Sequence, residues 1–201
     1  TGNATTPSVS TRSDTNSGMF FLGGDILGFS TGGTERLRID NGGNVAIGTT
    51  NVTSRLDINQ VSLGQSIFRL RSEATNDDPT LHVYQNRITT TSAATTTLHT
   101  FAIPSNNTAV IEVRVLARRT GGSSGTTGDS ASYTIQGTFK NISGTVTQVG
   151  TQTTLHQAED QAAWNSLFTI SGSNVITSVV GATNNNITWH LVKGELSTLN
   201  Q

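Results

Sequence analysis

Along the chain the apolar positions follow two regimes. From residue 98 onward they alternate with polar ones over long runs. In AVIEVRVLARR (109–119), Ile111, Val113 and Val115 oppose Glu112, Arg114 and Leu116. In SASYTIQGTFKNIS (130–143), Tyr133, Ile135, Gly137 and Phe139 share a face, and in NNNITWHLVKGELSTL (184–199) Ile187, Trp189 and Leu191 oppose Thr188, His190 and Val192. This period of two predicts half-buried strands. GTVTQVGTQTTLH (144–156) reads as a hairpin partner, and SLFTISGSNVITSVVGA (166–182) as two strands around Ser171-Gly172-Ser173-Asn174. Only HQAEDQAAWN (156–165) has a pattern that would allow a helical turn or two.

Before residue 98 the runs are shorter and poorer in apolar residues. Residues 1–17 read as a linker or irregular arm. In MFFLGGDILGFSTGG (19–33) the glycines rule out a helix of useful length, leaving short strands and tight turns. GGTERLRIDNGGNVAIG (32–48) is a hairpin around Asn41-Gly42-Gly43, with Leu37, Ile39, Val45 and Ile47 as its apolar positions. SRLDINQ (54–60), SIFRLRSEA (66–74) and TLHVYQNRI (80–88) continue as strands, the last two separated by a turn at Asp77-Asp78-Pro79. A lone hairpin with two inward aliphatics per strand is marginal in water. Its missing partner is expected to be other copies of the same chain, with the second half of this chain as the alternative.

TTTSAATTT (89–97) is low in complexity and is the expected boundary. The predicted organisation is therefore all-β: short intertwined hairpins over residues 1–92 and an antiparallel, jelly-roll-like β-sandwich over 93–201.

Composition sharpens this picture. Hydrophobic residues make up 33% and charged residues 12% of 201 residues, against roughly 45–50% and 25% in ordinary globular chains. Disorder would call for high net charge. Here 12 basic residues face 13 acidic ones, net −1, so an exposed, ordered β structure is the better reading. That balance offers no electrostatic footprint for nucleic acid. Cysteine does not occur, which excludes disulfides and thiolate metal sites, and no window resembles a membrane-inserting segment. The chain begins at Thr1 without a leader, as a fragment or processed product would.

The stretch GGTERLRIDNGGNVAIGTTNVTSRLDI resembles a segment of phage tail fibres and related viral fibre proteins, which typically reads T-E-R-[LM]-R-I-D-x-x-G-N-V-x-I-G-T-T-x-P-x-x-x-L-x-[VI]. Residues 34–40, 43–45, 47–50, Leu56 and Ile58 match, whereas Val52 stands where the pattern often has proline. In that family the segment often precedes a self-cleaving chaperone domain, which this sequence does not contain, so it is either absent from the protein or already removed. The second half also looks like fibre head domains, through its Gly181-to-Trp189 ending. Together the resemblances imply a homotrimer in the virion, contacting other tail proteins, with a narrow shaft or collar and a β head that binds a host-surface glycan.

Catalytic spacing motifs are missing. The four histidines, His82, His99, His156 and His190, are scattered. A trimer axis could gather three copies of His99 around a metal, but an ordinary strand histidine is the simpler reading, and neither metal nor cofactor is expected. No G-x-S-x-G occurs, and the Gly-Gly pairs lack a P-loop lysine. Arg118 and Arg119 read as a solvated strand end. Of the paired acids, Glu159-Asp160 stands out because Trp164 follows closely. An exposed tryptophan beside carboxylates would make a sugar platform; a core anchor is the other reading. The loops at 104–108, 120–129 and 183–186 are rich in Asn, Ser, Thr and Gly and are suited to bonding glycan hydroxyls. The candidate ligand-binding residues are thus Asn106, Asn107, Asp129, Glu159, Asp160, Trp164, Asn185 and His190. The expected function is attachment rather than catalysis. A purely structural virion role and a tailspike-like depolymerase are the rivals.

Overall fold

A computed structural model describes residues 1–59, 64–71 and 80–200. Every regular element among them is a strand. The Asp77-Asp78-Pro79 turn and the end of SIFRLRSEA lie outside the described residues. The chain divides into two compact units, Thr1–Ser62 and Leu63–Gln201.

The first unit is one sheet with its strands in chain order: β1 (Val9–Thr11), β2 (Asp14–Leu22), β3 (Ile26–Thr31), β4 (Thr34–Ile39), β5 (Val45–Ile47) and β6 (Leu56–Ile58). The pairings are antiparallel except β5–β6, which is parallel. The expected N-terminal arm supplies β1 and the start of β2, since its Val, Ser and Thr residues suit a ladder. The 32–48 hairpin forms as β4 and β5. Its turn is fastened by the Asp40 carboxylate, which accepts hydrogen bonds from the Gly42 and Asn44 amides, each at 2.9 Å, and from Asn44 Nδ2 at 3.0 Å. The Asn44 amide is the main reason that the Asp40 carboxyl sits below the usual carboxylate range. Gly43 supplies the positive φ, +74°, that this turn requires.

Register turns the sparse apolar residues into two complete rows. Val9, Met19, Phe29, Leu37, Ile47 and Ile58 line up across all six strands, and Phe21, Leu27, Ile39, Val45 and Leu56 form the row beside them. Facing partners share a side of a sheet, so both rows lie on one face. That face remains open: Val9, Phe21, Phe29, Ile39, Ile47 and Leu56 are exposed. The opposite face buries Phe20, whose ring lies over Gly28, and Ala46.

The second unit contains β7 (Ser66–Arg71), β8 (Thr80–Thr90), β9 (Thr95–Ala102), β10 (Asn107–Gly122), β11 (Ser130–Ile142), β12 (Thr145–Glu159), β13 (Asn165–Ser171), β14 (Asn174–Val180) and β15 (Asn185–Asn200). The large sheet runs β12-β11-β10-β15-β8-β7 and the small one β13-β14-β9, every pairing antiparallel. The sandwich core lies between them. Ile111, Val113, Val115, Tyr133, Ile135, Phe139, Ile187, Trp189 and Leu191 come from the large sheet, with Leu98, Phe101, Phe168, Val175 and Val179 from the small one. The alternating faces therefore fold as their parity dictates.

Three expectations are corrected. The break between units falls near residue 62 rather than 92, because β8 is hydrogen-bonded to β15 from Thr80↔Thr198 to Thr90↔Ile187. TTTSAATTT is the end of β8, the β8–β9 connection and the start of β9, where β-branched threonine suits a strand as well as a linker. Residues 156–165 form no helical turns. β12 continues to Glu159, and a tight turn follows in which the Trp164 amide donates to the Gln161 carbonyl at 3.0 Å. A ladder against β11 outcompetes a helix too short to offset its own nucleation. Finally, a bulge between Leu191 and Gly194 resets β15, so that Leu196 and Thr198 face inward after Leu191.

Candidate functional site

The outer face of the large sheet is set by what the inner face excludes. Since Ile187, Trp189, Val115 and Tyr133 point into the core, their neighbours Thr188, His190, Leu116 and Ser132 point out. Register aligns Ala158, Ser132, Leu116, His190 and Arg87 across five strands. The next row holds Ser130, Arg118, Thr188 and Thr89. A depression of about 420 Å³ lies over Arg87, Leu116, Arg118, Thr120, Ser130, Thr188 and His190. A second, of about 520 Å³, adjoins it over Leu116, Ser130, Ser132, Ala158, Glu159 and Asp160. The two share Leu116, Ser130 and Ala131, so they form one groove crossing the sheet.

The groove has two electrostatic ends. Arg87, Arg118 and His190 line the first depression, which no carboxylate among the described residues lines. Among the described residues neither guanidinium is in an ion pair. Glu159 and Asp160 border the other end and are both engaged, with the Glu159 carboxylate turned to the core-facing side of the sheet. Glu159 accepts from the Tyr133 hydroxyl at 2.5 Å and from Gln157 Nε2 at 3.0 Å, while Asp160 accepts from the Ser130 amide at 2.8 Å. Burial, with that bond to Glu159, pushes the Tyr133 phenol far above its ordinary range. Hydroxyls floor the middle: Thr188 Oγ1 lies 3.1 Å from Thr89 Oγ1 and 3.3 Å from Thr120 Oγ1, and Ser132 Oγ lies 2.9 Å from His156 Nε2.

The loop over the first depression is tied down from within. Arg119 donates from Nε to the Ser124 carbonyl at 2.8 Å and from Nη2 to the Gly122 carbonyl at 2.6 Å. Asp129 accepts from the Thr126 amide at 2.7 Å and from Gln161 Nε2 at 2.8 Å.

Two of the eight candidates, Asp160 and His190, line the groove; Glu159 borders it, but its carboxylate turns to the core side, onto the Tyr133 hydroxyl. Asp129 and Asn185 are buried beneath the 120–129 loop, on either side of Gly125, and act in its closure. Asn106 sits in a turn with φ +62°, and Asn107 opens β10 eleven residues from Arg118, at the other end of that strand. Trp164 is 1% exposed and packs on Trp189 with ring centroids 5.9 Å apart, so it closes the core and offers no face to a sugar. Sequence reasoning missed Arg87, Leu116, Arg118, Ser132 and Thr188. The available signal was parity: each is the outward neighbour of a core residue near the middle or end of a strand.

No protein-family model matches this chain, and no curated protein does. Two solved structures are similar to parts of it. One is the tailspike protein gp49 from Acinetobacter baumannii bacteriophage Fri1, a capsular polysaccharide depolymerase, at 6% identity and a TM-score of 0.38, covering 66% of this chain and 19% of that one. The other is the Acinetobacter baumannii phage AM24 tailspike protein, at 6% identity and a TM-score of 0.38, covering 60% of this chain and 26% of that one. Both are phage tailspike proteins, and this chain spans about a fifth to a quarter of their length. The expectation of a non-enzyme is corrected by this finding, since one of the two is a depolymerase. Spacing motifs are a poor basis for such an exclusion: they cannot see side chains that register alone brings together, as it does Arg87 and His190.

Proposed function

We propose that this chain is a virion tail-fibre component that works as a homotrimer outside the cell, is held by other tail proteins, and attaches to the host surface by binding glycan in the groove. The groove is the observation that carries this reading. It sets hydroxyl, guanidinium, imidazole and carboxylate groups around an exposed Leu116, which suits a ring with polar rims and an apolar face. The fibre-like segment at residues 32–58 supports the virion assignment. The open apolar face of the first unit supports assembly, because rows of Val, Phe, Leu and Ile left in water favour association. Three grooves on one fibre would raise avidity through effective concentration.

The test is retention of labelled protein on susceptible host cells and on a glycan array, for the wild type and Leu116→Asp. Retention by the wild type and its loss in the variant are expected. No retention on any host or glycan would overturn attachment and leave a structural virion role.

A second reading rests on Asp160 at one end of the same groove, with Glu159 next to it in sequence: cleavage of the bound polysaccharide, for which a pair of carboxylates about 5–9.5 Å apart must flank the scissile bond, so that Glu159 would have to leave Tyr133. Release of reducing ends from host polysaccharide, abolished by Glu159→Gln or Asp160→Asn, would establish it; no release would remove it.

A further inference from the structure

We propose that the groove selects an acidic saccharide, with its anionic substituent held at the Arg87–Arg118–His190 end. This rests on the glycan reading above and specifies its ligand. Arg118 on β10 and Arg87 on β8 are two strand spacings apart across the sheet, about 10 Å, and lie in adjacent rows. β15 runs between them and carries His190 and Thr188 outward. Two long side chains rooted that far apart can converge on a single anion.

Three features favour an anion here over a neutral hydroxyl. Both guanidiniums are exposed and lack carboxylate partners among the described residues, although this chain has nearly equal numbers of acids and bases. Arg119, the immediate neighbour of Arg118, shows the contrast, since its guanidinium is used up on loop carbonyls. And the groove is polarised. Asp160 at the far end repels an anion, so a ligand carrying one charge is oriented, with its hydroxyls toward that carboxylate. A planar guanidinium matches a carboxylate through two parallel N–H donors, which makes carboxylated sugars such as uronates the best fit and phosphate-substituted sugars the second.

The experiment uses the full chain on an array of acidic oligosaccharides. Each uronate-containing member is paired with its carboxyl-reduced form, and phosphate-substituted and neutral members are included. The variants are Arg87→Gln, Arg118→Gln and the double change, with melting temperature as the control for folding. The expected result is retention on acidic members, at least tenfold weaker after carboxyl reduction and at least tenfold weaker in either variant. Retention confined to phosphate-substituted members, lost in the same variants, would keep the anion site and change its source. Equal retention on reduced or neutral members would overturn the acidic specificity while leaving glycan attachment intact. Acid-dependent retention unchanged in both variants would overturn this location. No retention at all would overturn attachment and specificity together.

Discussion

The hydroxyl of Tyr133 donates to Glu159 Oε2 across 2.5 Å, linking a ring that is 1% exposed to a carboxylate on the core-facing side of the end of β12. The ring is part of the core and lies against Trp189, with centroids 6.4 Å apart. The end of β12, where Ala158 and Asp160 border the groove, is therefore anchored to the core. Tyr133→Phe keeps the ring and removes the donor. It should cost about 1.5–3 kcal/mol, the usual range for a hydrogen bond to a charged group. Urea denaturation gives that number directly.

The same phenol makes an alkaline prediction. Its folded pKa lies above the unfolded value near 10, so the stability it contributes is complete below pH 10 and falls as pH rises past it. Melting temperature should drop above pH 10 in the wild type and drop less in Tyr133→Phe.

His99 governs the acid side. Its ring sits between Tyr84 and Phe101, at centroid distances of 4.9 and 4.5 Å, and its Nε2 has no hydrogen-bond partner among the described residues. Burial pushes its pKa down from 6.5 to about 4. The unfolded chain takes up that proton first, so stability should fall as pH drops from 6.5 towards 4, by on the order of 3 kcal/mol in total. Stability curves at pH 7 and pH 4.5, for the wild type and His99→Leu, test this. The variant should lose most of the acid dependence whatever its stability at pH 7.

Gly194 follows the β15 bulge in a place where a Cβ would come within 2.9 Å of Leu191 Cδ2 and 3.0 Å of Phe101 Cζ. Gly194→Ala should destabilise by about 1–3 kcal/mol through overpacking, read as a shift of the urea midpoint with an unchanged slope.

How much of this was legible in the sequence depended on alternation. Where it was strict, as in Ile111-Val113-Val115 or Ile187-Trp189-Leu191, parity told the buried face from the exposed one, and the sandwich followed. Alternation says nothing about residues in turns, and so Trp164, in a tight turn after β12, was open to either reading. It also says nothing about which strands are neighbours. Arg87 meets His190 and Arg118 meets Thr188 only through pairings between residues 70 to 103 apart in sequence, a separation derived from their numbers. The basic end of the groove depends on such pairings. The unit boundary was hidden for a different reason: threonine serves strands and linkers alike.

The apolar rows of the first unit bear on the central claim, that the chain works as several copies presenting several grooves. Phe29 and Leu56 stand on that face, 40% and 57% exposed. Light scattering after size exclusion tests the claim most directly. The predicted mass is about three times the 21.1 kDa of one chain, reduced toward one chain by Phe29→Lys with Leu56→Lys. A wild-type mass of 21.1 kDa that holds at high protein concentration would contradict it.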